Sequence, residues 1–246
     1  MPNLQQLNKK ELAKIIKGFG NQGKIFQSEA QFQFELAWEL QKQGWEKAIL
    51  EDMTMKVVRN NKVVKKFYTD IVIEKDGYRV AIELKYKTAE YNGNGIELFD
   101  HGAVDLGRYD YLWDVHRIEL FSGMSTVNDV VVPHKCNKGF AVLLTNENKY
   151  WEQNYIMCPD PPKTIDNQFR IGKGNAVLFG DTLDWEEKNG NRPKTVAGTF
   201  RDRPISLNDA YGYKWEDYRV FGGNKNNEFK FVIIEVPDNN NQQPHV

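Results

Sequence analysis

Apolar residues recur at helical spacing in two segments of the chain. In the first, Ser28 is a suitable N-cap residue and Gly44 a suitable stop signal, so a helix is predicted from Ser28 to Gln43. Its apolar stripe consists of Phe32, Leu36 and Leu40. A second helix is predicted from about Gly102 to Phe121, where the stripe consists of Val104, Tyr111, Val115 and Ile118, with Leu112 close to it. Both patterns indicate helices that bury one face against a core.

Between these helices the pattern changes to short runs of β-branched and aromatic residues. From Ile49 to Glu83 the runs read MKVV, FYTDIVIE and YRVAIEL. They are separated by Asn60-Asn61 and Asp76-Gly77, residue pairs that favour tight turns, so a meander of three strands is predicted. Two further strands are predicted at Gly139–Thr145, GFAVLLT, and at Phe229–Val236, FKFVIIEV.

The order of these elements is helix, three strands, helix and strand, which predicts the α/β class with helices around a mixed β-sheet. One domain is expected over residues 1–246, with its core at residues 24–146. Residues 147–236 are rich in Asn, Gly and Pro until the last strand, and are expected to form an extension that completes or decorates the core. The tail, residues 237–246, has almost no apolar residue and is expected to be disordered.

Composition narrows the classes of function only in part. No apolar run approaches the roughly 20 residues that a bilayer requires and no signal peptide is recognisable, so a soluble cytoplasmic protein without a membrane partner is expected. Lys and Arg number 33 and Asp and Glu 34, giving a net charge of -1, so any attraction to a polyanion must be local. Cys136 and Cys158 lack a metal-ligand spacing and are expected to be buried thiols.

The Asp76-Gly77 turn predicts the register of the hairpin around it. In an antiparallel pair the two residue numbers keep a constant sum, so pairing Lys75 with Tyr78 also places Asp70 opposite Glu83. Alternation puts one apolar set on a common face: Ile71, Ile73, Val80, Ile82, Leu84 and Tyr86. The other face carries Ala81, Glu83, Lys85 and Lys87. The pattern therefore predicts a core face and an opposite face that presents charge.

Two carboxylates directly across a hairpin need a positive counter-charge, because the Cβ atoms of such a pair are only about 5 Å apart. Mg²⁺ suits this position, since it takes oxygen ligands from one or two carboxylates and fills its remaining positions with water and substrate phosphate. Lys85 shares the face of Glu83, and its ammonium group can orient or help to deprotonate a water, or stabilise charge on a phosphate. These residues therefore predict phosphodiester hydrolysis. The alternative is a surface salt-bridge cluster worth less than about 1 kcal/mol.

Asp70, followed by Glu83-Leu84-Lys85 on the next strand, resembles the motif of the PD-(D/E)xK superfamily of restriction-endonuclease-like nucleases. The resemblance covers about residues 24–146 and implies a restriction-endonuclease-like core, in which the elements run αβββαβ. It also implies that Asp70, Glu83 and Lys85 are catalytic. Asp70, Glu83 and the backbone carbonyl of Leu84 would bind Mg²⁺, with Mn²⁺ as a substitute. Thr69 stands where the name-giving proline would be, which makes the match less specific.

The same resemblance implies further site residues. Members of the superfamily often add an acidic ligand from the first helix, and Glu29 is the choice for it, with Glu35 as the fallback. The second helix is expected to border the site, where the positions on one face are His101, Asp105, Arg108 and Leu112. Arg108 and Lys87 are therefore expected to contact phosphates of a nucleic acid, although such residues are more often solvated charges.

A basic stretch, residues 188–203, precedes a group of aromatic residues, Tyr211, Tyr213, Trp215 and Tyr218. Such a combination can cradle phosphates and stack bases. The favoured interpretation is a solvated loop next to aromatic residues that pack in the core.

Together these features predict a Mg²⁺-dependent nuclease that acts on nucleic acid, most readily DNA, with a homodimer as one oligomeric option. A second hypothesis is a nucleic-acid-binding or scaffolding module that keeps the fold without turnover. A third is an enzyme acting on a different phosphate-containing ligand, which would have a closed pocket in place of an open groove.

Overall fold

The structure is a computed structural model, and it describes residues 7–124, 128–152, 165–173, 176–178, 182–187, 192–223 and 225–238. The helices are α1 (Lys9–Asn21), α2 (Glu29–Lys42), α3 (Val104–Ser122) and α4 (Lys149–Glu152). The first strands are β1 (Lys47–Arg59), β2 (Lys62–Lys75), β3 (Tyr78–Lys87), β4 (Tyr91–Gly93), β5 (Ile96–Leu98), β6 (Val130–Val131) and β7 (Lys138–Thr145). The later strands are β8 (Ala176–Leu178), β9 (Thr182–Leu183), β10 (Ile205–Ser206), β11 (Tyr211–Tyr213), β12 (Trp215–Val220) and β13 (Glu228–Val236). Two 3₁₀ turns lie at Asn167–Phe169 and Phe200–Asp202.

A seven-stranded mixed sheet forms the centre of the protein, with the strand order β12-β13-β7-β3-β2-β1-β6. The pair β3 and β7 is parallel, and the other neighbours in this sheet are antiparallel. Because α3 connects β3 to β7, it makes the crossover that a parallel pair requires. The C-terminal strands β12 and β13 extend the same sheet, so the segment after residue 147 completes it.

Helices cover both faces of this sheet. On one face, α1 and α2 pack over a core that includes Ile71, Ile73, Val80 and Ile82. On the other face, α3 and the segments after β7 pack over a second core that includes Val72, Ala81 and Ile118. The protein is thus a mixed α/β structure with a large sheet between helical layers. Among the described residues no helix is both long and apolar enough to cross a bilayer.

The predicted elements are present, and several are longer than the sequence indicated. Ser28 caps α2 through a hydrogen bond from the backbone amide of Gln31, and the meander of three strands, α3, β7 and β13 all form. Helix α1 was not predicted from the sequence, although it carries a capping box of Asn8 and Glu11. Its apolar stripe is also visible in the sequence and consists of Leu12, Ile15, Ile16 and Phe19.

The register predicted from the Asp76-Gly77 turn is confirmed over five residue pairs, from Lys75 with Tyr78 to Ile71 with Ile82. Both turn residues have positive φ, 50° at Asp76 and 77° at Gly77, as a turn that matches the twist of the strands requires. The predicted faces need one correction. The face that carries Ala81 and Glu83 is not open to solvent, because α3 covers it.

Two other expectations concern the cysteines and the C-terminal tail. Cys136 is buried as expected, and burial raises the pKa of its thiol to about 11, whereas Cys158 lies outside the described residues. The tail was expected to be disordered from Pro237, yet the carboxylate of Asp238 accepts a hydrogen bond from the Tyr78 hydroxyl at 3.1 Å. Residues 239–246 lie outside the described residues.

The contact between α3 and the sheet depends on Gly139 in β7. A Cβ atom at this position would meet the Ile118 side chain and would lie 2.8 Å from the backbone oxygen of Ala81. We therefore expect Gly139→Ala to lower the free energy of unfolding by about 1–3 kcal/mol through overpacking. Urea denaturation measures this change. The matched control is Gly212→Ala in β11, where nothing lies within 4 Å of the added atom. Equal stability of the two variants would contradict the expectation.

Candidate active site

The site begins where two neighbouring strands separate. The ladder between β2 and β3 ends at the pair Ile71 and Ile82. Beyond it β2 stays paired with β1, while β3 continues along β7 from Glu83 with Ala141 to Lys87 with Thr145. The β3 backbone groups that face β2 therefore lose their ladder partners at Leu84 and Tyr86. Buried amides without partners are costly, so other groups have to satisfy them.

Two acidic side chains fill this role. The Asp70 carboxylate accepts a hydrogen bond from the backbone amide of Leu84 at 2.6 Å. The Glu29 carboxylate, from the first turn of α2, accepts one from the amide of Tyr86 at 2.7 Å. Glu29 was predicted to join the site from this helix, and the structure brings it to the split beside Asp70.

The predicted direct pairing of Asp70 with Glu83 is corrected by this geometry. The ladder stops one pair earlier, and Asp70 reaches across to the Leu84 amide instead of remaining in register with Glu83. The backbone oxygen of Asp70 accepts a hydrogen bond from the Gln33 side chain at 2.5 Å, which ties the end of this pairing to α2. Asp70 and Glu83 still interact electrostatically. Burial is the main cause of the raised pKa of Glu83, and the charge of Asp70 raises that pKa further.

That group combines strand and helix residues and is called the carboxylate cluster below. Its acidic members are Glu29, Asp70, Glu83 and Asp114, and its cations are Lys85 and Arg117. Lys85 Nζ lies 2.5 Å from the Asp114 carboxylate and 3.2 Å from the backbone oxygen of Leu84. Arg117 contacts both oxygens of Glu83, at 3.0 and 3.3 Å, and the Asp114 carboxylate at 3.2 Å. The ammonium and the guanidinium therefore hold the acids of β3 and α3 together.

Burial controls the protonation of this cluster. It raises the pKa of Glu29 and of Asp70, and it raises the pKa of Glu83 well above its usual value despite the adjacent Arg117. Burial alone would lower the pKa of Lys85, but the surrounding carboxylates, first Asp114, outweigh it and raise that pKa. In their ionised forms the four acids exceed the two cations of the cluster by two negative charges. A divalent cation would neutralise this excess.

The donor set fits Mg²⁺ in chemistry. Asp70 and Glu83 offer carboxylate oxygens, and the backbone oxygen of Leu84 faces the same split as its amide, which are the hard ligands that Mg²⁺ prefers. Within the described parts of the chain, no group of three or more His, Cys, Asp or Glu side chains forms a ready-made metal cage. Mg²⁺ does not require one, since it keeps several waters and is commonly held by one or two carboxylates. Neither Asp70 nor Glu83 is free of protein partners, so metal binding would have to share or displace the Arg117 contacts.

Arg108 does not face the site, contrary to expectation. Its guanidinium is buried and forms an ion pair with Asp166, and it donates a hydrogen bond to the backbone oxygen of Lys149 at 2.6 Å. Asp166 also contacts Arg170 at 3.2 Å. Arg108 therefore joins α3 to the segments after β7 and cannot contact a phosphate. The face of α3 that looks toward the site carries Asp114 and Arg117 instead.

Of the remaining predicted residues, Lys87 lies at the edge of the site and the others have different contacts. Lys87 is half-buried at the end of β3, where its charge acts on Glu29 and on His101. Glu35, the fallback ligand, is half-buried and forms an ion pair with Lys24 at 2.6 Å. The aromatic residues at 211, 213, 215 and 218 are buried, which agrees with their interpretation as packing residues. In the basic stretch, Arg192 and Arg201 are paired with acidic residues.

Asp114 and Arg117, which complete the cluster, were not predicted from the sequence. They are visible there as a charged pair at i and i+3 on α3. The predicted face of this helix toward the site was the one with His101, Asp105, Arg108 and Leu112. The structure turns a different face, with Asp114 and Arg117, toward the site. A helix buried on most sides, as α3 is, gives little signal about which side meets which neighbour.

The raised pKa of Asp70 predicts how stability depends on pH. When the folded pKa lies above the unfolded value near 3.8, the wild type loses free energy of unfolding relative to Asp70→Asn as pH rises through the folded pKa. Below that range the two proteins should be similarly stable, since Asp70 is then protonated in both states. Urea denaturation in chelator from pH 3.5 to 8 measures the difference.

The control for this measurement is Asp217→Asn. A hydrogen bond from Lys230 lowers the pKa of Asp217, so the wild type should gain stability over this variant as pH rises. Slopes of the same sign for the two variants would contradict the assignment of Asp70 as a destabilised buried acid.

No family model, no curated protein and no solved structure matches this chain. Interpretation of the site therefore rests on the arrangement and chemistry of its own residues.

Proposed function

We propose that the protein is a Mg²⁺-dependent nuclease of the PD-(D/E)xK type that hydrolyses phosphodiester bonds, with DNA as its principal substrate. One observation carries the proposal. Where β2 and β3 separate, four acids outnumber two cations. Glu83 and Asp114 are buried, Glu29 and Asp70 are half-buried, and burial raises the pKa of Glu29, Asp70 and Glu83. An arrangement that holds excess negative charge out of water is unfavourable for stability and common where a cation and catalysis are required. The core elements α2, β1, β2, β3, α3 and β7 follow one another in the order that the resemblance implies, and this order supports the same proposal.

Asp70, Glu83 and the backbone carbonyl of Leu84 would hold the metal. A bound Mg²⁺ supplies Lewis-acid activation of the scissile phosphate and of a water molecule. Asp70 and Glu29 are held in place by the amides of Leu84 and Tyr86, so both carboxylates keep fixed orientations at the split. Glu29 lies close enough to influence Lys85 and Asp70 and contributes charge at the outer end of the site.

Lys85 acts as a cation in this proposal. Its raised pKa keeps the ammonium protonated at neutral pH, so it is unsuited to remove a proton from water. The Asp114 carboxylate fixes its position at 2.5 Å. Lys85 can therefore orient the attacking water through its N–H donors and stabilise the negative charge that develops on the phosphate. Of the two roles considered from the sequence, electrostatic stabilisation is the one that this environment favours.

A second candidate function is a catalytically silent nucleic-acid-binding module, and Arg117 favours it. Its guanidinium contacts both oxygens of Glu83, at 3.0 and 3.3 Å, in the place where a metal ion would supply positive charge. If this pair persists in the presence of Mg²⁺, Glu83 serves the fold alone. A protein that binds nucleic acid but takes up no Mg²⁺ would identify this function.

An enzyme that acts on a different phosphate-containing ligand stays a hypothesis, and it requires a closed pocket at the carboxylate cluster. Two clefts in the described structure lie along α1, one beside Glu11 and Glu39 and the other beside Lys17 and Glu216, and neither is lined by a residue of the cluster.

Mg²⁺ is expected to raise the melting temperature of the wild type and not that of Asp70→Asn. A ligand that binds only the folded state stabilises it by RT ln(1 + [L]/Kd), and the variant lacks one charged ligand. Calorimetry with the metal alone measures the same binding directly. Asp76→Asn is the matched control, because it removes one acidic charge from an exposed turn. It should respond to Mg²⁺ like the wild type, and a wild type that does not respond would contradict metal binding.

Cleavage of plasmid and linear DNA in Mg²⁺ should fall by about 10²-fold or more in Lys85→Met, because charge stabilisation at the phosphate is lost while the aliphatic packing is kept. Lys14→Met, on the exposed side of α1, should cut at the wild-type rate. Melting curves establish that both variants are folded. A wild type that binds Mg²⁺ but cuts neither DNA nor RNA would refute the nuclease proposal.

A further inference from the structure

The hairpin of β1 and β2 carries a concentration of positive charge that the carboxylate cluster does not use. We call residues 55–67 the basic arm. Its cations are Lys56, Arg59, Lys62, Lys65 and Lys66, and no acidic residue occurs between positions 55 and 67. On β2, residues 62–66 are all exposed. Because the whole protein has a net charge of -1, this arm is a local departure from a nearly neutral average.

Like charges lie directly across the arm from each other. Lys56 pairs in register with Lys66, and Arg59 pairs with Lys62. Opposed like charges destabilise an antiparallel pair, so the arm stores repulsion that a polyanion would relieve. Arg59 reaches Asp129 at 3.6 Å. The four lysines form no ion pair with an acidic residue in the described part of the chain, and Lys65 instead lies over the rings of Phe67 and Phe200.

Buried contacts at the sheet end of the basic arm join it to the carboxylate cluster. Thr54 and Thr69 share a buried hydrogen bond of 2.7 Å across the two strands, and Met55 is buried. Arg117 of the cluster also donates a hydrogen bond to the backbone oxygen of Tyr68. β2 therefore runs without interruption from the arm to Asp70, and the charges of the arm keep a defined position relative to the site.

The distance along β2 from the basic arm to Asp70 matches the length of a short segment of duplex DNA. Lys62 and Asp70 are eight positions apart along β2, a span of about 27 Å at the usual rise of about 3.4 Å per residue. This corresponds to about eight base pairs of B-form DNA. Proteins that bind single strands combine such charge with aromatic stacking surfaces. The end of the hairpin carries exposed Val63 and Val64 and no aromatic residue, whereas the exposed aromatic rings of Tyr68 and Phe200 lie closer to the sheet.

We propose that the basic arm binds the backbone phosphates of duplex DNA to one side of the carboxylate cluster. Lys62, Lys65 and Lys66 supply point charges to these phosphates and carry no sequence information. The inference rests on the proposed function only for its choice of nucleic acid as the partner. Binding by the arm itself requires neither metal nor cleavage, so the two proposals can fail separately.

The test compares two triple variants with the same change in charge. The arm variant is Lys62→Gln, Lys65→Gln and Lys66→Gln. The control variant is Lys10→Gln, Lys14→Gln and Lys214→Gln, which changes exposed lysines on α1 and beside β12, at the opposite edge of the sheet. Both should remain folded, and the arm variant should melt no lower than the wild type, since it removes one member of each like-charged pair.

Fluorescence anisotropy with a 24-base-pair duplex of random sequence, in chelator, measures binding. The arm variant should bind about tenfold or more weakly at 0.1 M salt, with the slope of log Kobs against log salt reduced by about two to three. The control variant should match the wild type in both affinity and slope. A wild type that does not bind the duplex, or an arm variant that equals the control, would overturn the inference.

Two further measurements separate the possible outcomes. An equal loss of affinity by the arm variant for a 24-nucleotide single strand would overturn the assignment to duplex DNA. Cleavage in Mg²⁺ is assayed in parallel. An arm variant that binds like the wild type while both proteins cut DNA overturns the arm and leaves the nuclease proposal intact. If the wild type binds the duplex through the arm but cuts no DNA, the inference about the arm stands and the nuclease proposal is overturned.

Discussion

The separation of β2 from β3 is the constraint on which the rest of the site depends. Once the ladder ends at Ile71 and Ile82, the backbone amides of Leu84 and Tyr86 lie inside the protein without strand partners. Buried amides have to be satisfied, and here carboxylates satisfy them, from Asp70 at 2.6 Å and from Glu29 at 2.7 Å. Because carboxylates satisfy these amides, acidic side chains are concentrated where the two strands separate.

Burial of these acidic side chains costs free energy, and the cations of the carboxylate cluster offset part of that cost. Burial raises the pKa of Asp70, Glu29 and Glu83, so each ionised acid reduces stability unless a cation compensates it. α3 contributes Arg117 beside Glu83, and its Asp114 holds Lys85. Removing one partner of such a buried pair costs far more than the pair contributes. The protein therefore keeps an arrangement that reduces its stability, and the proposed function gives a reason for it.

β2 connects the carboxylate cluster to the basic arm. The strand enters the cluster at Asp70 after passing through the basic arm, and the buried bond between Thr54 and Thr69 holds the junction. Positive charge on the arm and negative charge in the cluster are thus separated along one rigid element. In the proposed function, a duplex held by its phosphates would meet an acidic site whose excess negative charge a cation neutralises. The separation prevents the lysines of the arm from neutralising the carboxylates directly.

Local rules were enough to predict much of this protein from its sequence. The Asp76-Gly77 turn and the two-residue alternation determined the register of β2 and β3 and placed Asp70, Glu83 and Lys85 on one side of the sheet, because both rules act between near neighbours in the chain. Only the tertiary structure decided where the two strands separate, which side of α3 faces them, and that Arg108 is buried against Asp166. Those features depend on packing between segments far apart in sequence, for which a single chain carries no periodic signal. For the same reason Asp114 and Arg117 became part of the cluster only when α3 was placed on the sheet.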